Sequence, residues 1–132
     1  MRYVPLVGRI LFSLMFIMSG MGHLTKSAGM AQYAGAMGVP APTLAVIITG
    51  IMLLLGGLSV ILGYKVKVGT ILLVVFLIPT TFMMHAFWGI EDPMQSQMQM
   101  GMFMKNLSMM GGALLLYHFG TGPLSLEEQA QQ

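Results

Sequence analysis

The chain of 132 residues is 56% hydrophobic and only 8% charged, so it has too few charged side chains to cover a soluble globular protein. The absence of cysteine excludes disulfides, thiolate zinc sites, iron–sulfur clusters and cysteine nucleophiles. The net charge of +2 is not gathered into a basic cluster, which excludes a nucleic-acid-binding protein.

Four apolar segments predict four membrane-spanning helices. They cover about 4–22, 44–64, 68–90 and 101–119, and each is close to the ~20 residues that cross a hydrocarbon layer ~30 Å thick. The second segment has only two polar interruptions and therefore no polar face that could be turned to water. The predicted fold class is all-α: an integral membrane four-helix bundle that forms a single domain over 1–132.

The connections between the first three spans contain glycine, and the first also contains proline; both residues are typical of helix ends and turns. The first connection contains the motif GVPAP, which ends any helix there, and we predict a short interfacial helix over 28–37 before it. The second connection is a tight turn with the sequence GYKVKVG. After the last span, residues 120–132 are rich in glutamate and glutamine, and this tail is predicted to be solvated or frayed.

The distribution of lysine and arginine predicts the orientation, because cytoplasmic segments retain positive charge. Four spans place both termini on one side of the membrane. Lys26 and Lys105 fall on the opposite side, whereas four cations fall on the side of the termini: Arg2, Arg9, Lys65 and Lys67. Both termini are therefore predicted to be cytoplasmic.

All four predicted spans carry a stripe of polar or small residues at helical spacing, ~100° per residue; in the second span it consists of Thr49, Met52, Gly56 and Gly63. The other stripes consist of Arg9, Ser13, Gly20 and His23 in the first span, Thr81, His85 and Trp88 in the third, and Lys105, Ser108 and Gly112 in the fourth. We expect them to converge on one interior, with the histidines, the tryptophan and Lys105 at its outer end and Arg9 at its inner end.

Each of these residues also has a structural interpretation. Arg9 lies about one turn inside the membrane, from where it can reach the cytoplasmic headgroups. Trp88 lies where a belt of interfacial aromatic residues is expected. His23 and His85 can bond to carbonyls near helix ends, although two histidines on one interior favour a functional site.

The methionines allow a copper interpretation and a packing interpretation. Met94, Met98 and Met102 recur at helical spacing and could offer sulfur ligands to Cu(I) beside the outer histidines. Methionine is also a flexible apolar filler, and its enrichment extends along the whole chain, which holds 16 methionines. We interpret them as packing residues and assign no metal ligand.

Charged residues near the start of the fourth span predict a polar lid over the interior. An isolated lysine in lipid costs ~3 kcal/mol or more, so Lys105 needs a partner. Glu91 and Asp92 lie in the preceding connection, which we expect to fold back so that one of them forms an ion pair with Lys105 beside His85. This pair would close the outer end of the bundle.

Six motifs occur in order over nearly the whole chain: GRILFSLMFIMSGMGHL, YAGAMGVPAP, GGLSVILGY, HAFWGIEDP, FMKNLSMMGGALLL and GTGPLSLE. Together they resemble the DoxX family of small four-helix membrane proteins. The resemblance implies a four-helix bundle in a prokaryotic inner membrane. It also implies a link to redox metabolism, because relatives are associated with thiosulfate and quinol oxidation or with oxidative-stress complexes.

The resemblance further implies which residues form the site. In this sequence the matching positions are Arg9, His23, His85, the aromatic pair Phe87 and Trp88, and Phe103, Lys105 and Asn106 of the motif FxKN. The candidate ligand-binding residues are Arg9, His23, His85, Trp88, Lys105 and Asn106. Leu53 is a departure, because many relatives carry a glutamate there; if that acid is a proton or cation site, this chain has lost or relocated it.

Two classes of function follow. The first is a redox-linked membrane protein that binds a quinone or a similar flat hydrophobic molecule within the bundle. The second is a non-catalytic accessory or assembly subunit of a larger respiratory or oxidative-stress complex; a homo-oligomer is a further alternative. The sequence contains no complete acid–base or nucleophilic constellation, so no catalytic residue is assigned and catalysis by the chain itself stays open.

Overall fold

The computed structural model describes residues 1–130, and this part of the chain folds into six helices without a β-strand. In chain order they are α1 (Tyr3–Thr25), α2 (Ser27–Ala36), α3 (Pro42–Leu62), α4 (Val66–Met84), α5 (Pro93–Phe119) and α6 (Leu126–Ala130). The predicted all-α fold class is confirmed. The short helix predicted over 28–37 corresponds to α2.

Three helices within residues 1–130 are long and apolar enough to cross a membrane: α1, α3 and α4. They agree with the first three predicted spans except at the end of α4, which stops at Met84 rather than near residue 90. His85 leaves the helical conformation, with φ −123° and ψ 25°. Gly89 then adopts a φ of +84°, which glycine tolerates without steric cost, and the chain turns away from the helix axis.

The next helix, α5, begins about eight residues earlier than predicted. Asp92 caps it, because its carboxylate accepts a hydrogen bond from the Met94 N–H (3.1 Å), and Pro93 fits the first turn. The 27 residues of α5 extend about 40 Å, roughly 10 Å more than the hydrocarbon layer. Because Lys105 and Asn106 interrupt its apolar run, α5 is not one of the three candidate spans, and the fourth span stays a prediction.

Close helix packing follows the order α1, α3, α4, α5. At the crossing of α1 and α3, a Cβ added to Gly20 would lie 2.9 Å from the Gly50 carbonyl oxygen. At the crossing of α3 and α4, a Cβ added to Gly56 would lie 3.0 Å from the Gly69 carbonyl oxygen. Glycine lets these backbones pack directly. The α1–α5 pair lacks such close backbone packing, so the bundle has one loosely packed seam.

The apolar core lies where α1, α3 and α4 meet, and it consists of Phe16, Leu53, Val60, Val66, Leu73 and Leu77. A smaller cluster joins α2 to α3 through Ala31, Ala34 and Val46, with Met84 of α4 packed against it. Because α3 begins and α4 ends at this cluster, α2 covers that end of the bundle. We call it the α2 end.

The C-terminal segment is ordered over residues 120–130, whereas the sequence predicted a solvated or frayed tail. It folds back against the turn between α3 and α4. The backbone N–H of Glu127 donates to the Gly63 carbonyl (2.9 Å), and its carboxylate accepts from the N–H of Val66 (3.0 Å), the first residue of α4. A carboxylate is favourable there because the first N–H groups of a helix lack partners. The last two residues of the predicted tail, 131–132, lie outside the described part of the chain.

Candidate ligand-binding site

A cavity of about 420 Å³ lies inside the bundle at the α2 end, and residues from α1 to α5 form its wall. The wall is mainly apolar, as in most small-molecule sites; it includes Phe16, Leu53, Phe76, Leu77, Met84 and Met109. The structure also brings four of the six candidate ligand-binding residues to this wall: His23, His85, Lys105 and Asn106. Arg9 and Trp88 are not part of it.

His23 is held by α3 at the end of α1. Its Nδ1 lies 3.0 Å from the Thr49 hydroxyl oxygen and 3.2 Å from the Val46 carbonyl oxygen. A carbonyl can only accept, so these contacts assign the proton to Nδ1. The edge of Phe76 fixes the ring from the other side, with centroids 5.9 Å apart. In the neutral tautomer, Nε2 is thus left as an acceptor for a ligand.

His85 is held by α5 in a similar way. It follows the last residue of α4, and its Nδ1 lies 3.0 Å from the Gln99 side-chain oxygen. This assignment of Gln99 again places the proton on Nδ1 and leaves Nε2 free. The Ser96 hydroxyl donates to the Phe87 carbonyl (3.1 Å), so the connection that carries His85 is fixed against α5.

Lys105 and Asn106 bring uncommitted polar groups to the cavity. Asn106 is 4% exposed, and among the described residues its amide has no hydrogen-bond partner. The Lys105 ammonium is 3.5 Å from the Met102 sulfur, a weak acceptor that leaves most of its donor capacity unused. Ser108, predicted on the same interior face, is instead exposed.

The predicted lid ion pair of Lys105 with Glu91 or Asp92 is not formed in the described structure. The prediction treated the residues after Asp92 as a flexible connection, but they are the first turns of α5. Asp92 caps this helix, and Lys105 lies thirteen residues further along it, at a distance of about 20 Å along the axis. A rigid helix therefore keeps the acids away from Lys105.

Arg9 lies far from the cavity, at the other end of α1. Fourteen residues separate it from His23, or about 21 Å along the helix. The side chain is 2% exposed, so it does not reach out to headgroups. Its terminal nitrogens donate to four backbone carbonyls: Val60 at 3.4 Å, Ile61 at 3.3 Å, Pro123 at 3.3 Å and Leu124 at 2.7 Å. Arg9 thus joins the end of α3 to the C-terminal segment.

Trp88 is 56% exposed and packs outside the cavity. Its ring meets Phe87 and Phe103 edge to face, with centroids 5.4 and 5.8 Å apart. Such pairs stabilise one another beyond their buried area. This geometry matches the structural interpretation of Trp88, an aromatic residue at the surface beside the site, rather than a direct contact to a ligand inside it.

Four further polar side chains in the cavity wall were not among the predicted ligand-binding residues: Ser19, Tyr33, Thr49 and Thr80. Ser19 lies four residues before His23, so helical spacing could have identified it. Tyr33 belongs to α2, a helix of 10 residues whose sequence carries no polar periodicity toward the site. Leu53, where the resemblance leads us to expect a glutamate, is fully buried in the wall and keeps that side apolar.

Comparisons with known proteins agree with this architecture. The DoxX family model matches residues 4–86. The inner membrane protein YqjF of Escherichia coli K12 is 36% identical over 122 residues, which are 92% of this chain and 88% of that protein. The inner membrane protein YphA of the same organism is 29% identical over 124 residues, 94% of this chain and 88% of that protein. No solved structure matches the chain.

These matches extend beyond the cavity residues to nearly the whole chain. The family match covers α1 from its second residue and α2 to α4 completely, and the two relatives also cover most of the remainder. Both relatives are inner membrane proteins, in agreement with the three apolar helices found here. The chain is therefore a multi-pass inner membrane protein and belongs to the DoxX family.

Proposed function

We propose that the protein binds a quinone, or a similarly flat hydrophobic molecule, in the cavity at the α2 end and thereby takes part in membrane redox metabolism. The observation that carries the proposal is the make-up of the wall: mainly apolar side chains surround His23, His85, Lys105 and Asn106, which keep hydrogen-bonding capacity for a ligand. The volume of about 420 Å³ falls within the range of roughly 300–1,000 Å³ typical of small-molecule sites.

The polar groups suit both redox forms of a quinone. A quinone ring has two carbonyl oxygens that only accept hydrogen bonds, and the Lys105 ammonium and the Asn106 amide can donate to them. A quinol has two hydroxyl groups that donate, and the free Nε2 atoms of His23 and His85 can accept from them. The wall therefore offers donors for the carbonyls of a quinone and acceptors for the hydroxyl groups of a quinol.

The chain supplies hydrogen bonds and shape but no electron carrier of its own. The cavity wall contains no carboxylate, since Leu53 occupies the position at which the resemblance leads us to expect a glutamate. We propose a binding role and assign no catalytic residue.

Extraction in a mild detergent, followed by mass spectrometry of the bound small molecules, tests this function. We expect a stoichiometric quinone. Asn106→Leu should lower quinone affinity at least tenfold, because it removes a buried donor and fills part of the cavity. Ser108→Ala is the matched control, since Ser108 is exposed on the same helix, and its affinity should be unchanged. Protein that carries no quinone and binds none when a benzoquinone is added would contradict the proposal.

A second candidate function, a non-catalytic subunit of a larger membrane complex, is favoured by the surface of α5. Met94 and Met98 are 72% and 65% exposed, on the turns of α5 that also carry glutamines. Flexible methionine side chains are common at adaptable protein-binding surfaces. The same extraction separates the two functions, because a stoichiometric partner protein without a small molecule supports the second, and a second copy of the chain supports a homo-oligomer.

A further inference from the structure

The seam between α1 and α5 contains a second hollow of about 430 Å³, which we call the seam groove. It lies toward the opposite end of the bundle from the cavity. Its walls are formed by α1 and α5 and by the glycine-rich start of the C-terminal segment, and they include Pro5, Gly8, Phe12, Gly112, Leu116 and Phe119. Neither the family match nor the proposed quinone site accounts for this groove.

The seam groove and the cavity lie along the same two helices. Phe16 and Met109 belong to the cavity wall, whereas Phe12 and Gly112 belong to the groove wall. Phe12 and Phe16 are one helical turn apart, and their rings are neighbours with centroids 5.0 Å apart. On α5, Asn106 precedes Gly112 by six residues, or about 9 Å along the axis. A molecule anchored in the cavity could therefore reach the groove along the seam.

The cavity is also open toward the seam on the side of α1. Met15 lines the cavity, yet it is 44% exposed although it lies near the midpoint of a span-forming helix. Exposure at that depth means exposure to lipid, not to water. A long hydrocarbon chain could pass here without a large change in helix packing, because α1 and α5 lack close backbone contacts.

The groove suits a hydrocarbon and not a charged head group. Its one charged wall residue, Arg9, has both terminal nitrogens engaged by carbonyls, and its Nε is fully enclosed by protein. The hydroxyl of Thr121 is paired with the Ser125 hydroxyl (2.8 Å). The remaining wall is glycine, proline, leucine and phenylalanine. The one Arg9 nitrogen without a hydrogen-bond partner, Nε, is buried out of a ligand's reach, whereas an apolar chain would bury its surface in the groove.

We infer that the seam groove binds the isoprenoid tail of the molecule whose ring occupies the cavity. This inference rests on the proposed function. It assigns the two hollows to one ligand, with the ring at the α2 end and the tail between α1 and α5. Gly8 then becomes a residue that selects for tail length, since the absence of its side chain keeps the groove open, and Gly112 leaves room for the Phe12 ring in the groove wall.

Two benzoquinones with the same ring, one without a tail and one with a four-isoprene tail, test this inference. Their affinities for the purified full-length protein are compared in one detergent after correction for partition into the micelle. We expect the tailed form to bind at least tenfold more tightly. Gly8→Leu should reduce this preference to less than threefold without weakening the tail-less form, because a Cβ at Gly8 meets no atom within 4 Å and its side chain can enter the groove.

Gly111→Leu is the matched control, because Gly111 is exposed and a Cβ there also meets no atom within 4 Å. It should keep the full preference for the tailed form. Gly112→Ala provides a second test of the groove, since the added Cβ would lie 3.0 Å from the Phe12 ring and should reduce the preference as well.

Two results would overturn the inference while the proposed function stands: equal affinity for both quinones in the unmodified protein, or an undiminished preference in Gly8→Leu. If neither quinone binds, the proposed function fails and the inference fails with it. These outcomes are distinguished by the tail-less form alone, which reports on the cavity and not on the groove.

Discussion

Arg9 shows how a single polar residue on an apolar helix can be structural rather than functional. Its buried guanidinium lies against the last carbonyls of α3, where the helix dipole is negative, and against two carbonyls of the C-terminal segment. A charged donor satisfies several such acceptors at once, which no neutral side chain of similar size can do. His23 and His85 differ, since each keeps one ring nitrogen free beside the cavity.

Replacement of Arg9 tests its structural role. Arg9→Met keeps much of the apolar stem but leaves four carbonyls without their donor, so the free energy of unfolding should fall by ~3 kcal/mol or more. Unfolding of the ligand-free protein in a mild detergent measures this loss. Arg2→Met is the control: Arg2 is 66% exposed with a single ion pair 3.8 Å from Glu128, and its loss should cost less than ~1 kcal/mol. Unchanged stability of Arg9→Met together with lost quinone binding would contradict the structural role.

At the scale of helices, the C-terminal segment acts as a cap for α4. The preceding turn contains Gly63 with a φ of +67°, and the N-cap residue of α4 is Lys65, whose side chain has no hydrogen-bond acceptor and does not cap the helix. Glu127 supplies the missing acceptor from the other end of the chain. Gly63 must remain glycine, because an added Cβ would meet both Arg9 and Ser125.

Removal of this cap should release the segment and the start of α4 together. We expect Glu127→Ala to speed hydrogen exchange of residues 66–69 and 121–130 and to lower stability by about 1 kcal/mol, the usual cost of a lost helix cap. Gln129→Ala changes an exposed residue two positions away and should leave exchange unaltered. Hydrogen exchange monitored by mass spectrometry measures both peptides. Faster exchange in 121–130 alone would show that Glu127 anchors the segment without capping α4.

At the scale of the whole molecule, the proposed topology has both termini in the cytoplasm and α5 as the fourth span. The cavity would then lie toward the outer face and the C-terminal cap toward the cytoplasm. Arg2, Lys65 and Lys67 all lie at the end of the bundle that contacts the C-terminal segment. The structure therefore keeps these three cations at one end of the bundle, as the sequence predicts.

Cysteine labelling in intact cells tests this topology, and the chain offers a clean background because it has no cysteine. An impermeant thiol reagent should label Gln97→Cys and not Lys67→Cys. Both positions are exposed, so burial does not explain a difference between them. Lysis before labelling should make Lys67→Cys reactive and so serves as the control. Labelling of Lys67→Cys alone in intact cells would invert the orientation, and labelling of both would mean that α4 does not place the two positions on opposite sides of the membrane.

The sequence by itself determined the all-α class, the three apolar helices and four residues of the cavity wall. Apolar run length and helical spacing are local properties, and they suffice to place His23, His85 and Lys105 on interior faces, whereas Asn106 was identified only through the resemblance. The resemblance pointed to the same residues, which the structure brings together in one wall. For Trp88 and Arg9 the sequence allowed both a ligand-binding role and a structural role, and it could not decide between these two roles.

Only the tertiary structure decided how distant parts of the chain serve one another. The polar residues after Asp92 look like a connection in the sequence, but an aspartate cap and a proline start α5 there, and this helix separates the predicted lid acids from Lys105. The sequence predicts solvated glutamates in the tail, but in the structure the Glu127 carboxylate accepts a hydrogen bond from the N–H of Val66. Arg9 finds its carbonyls more than fifty residues away in sequence. These contacts depend on which helix ends pack together in the folded protein, and a local sequence pattern does not predict that packing.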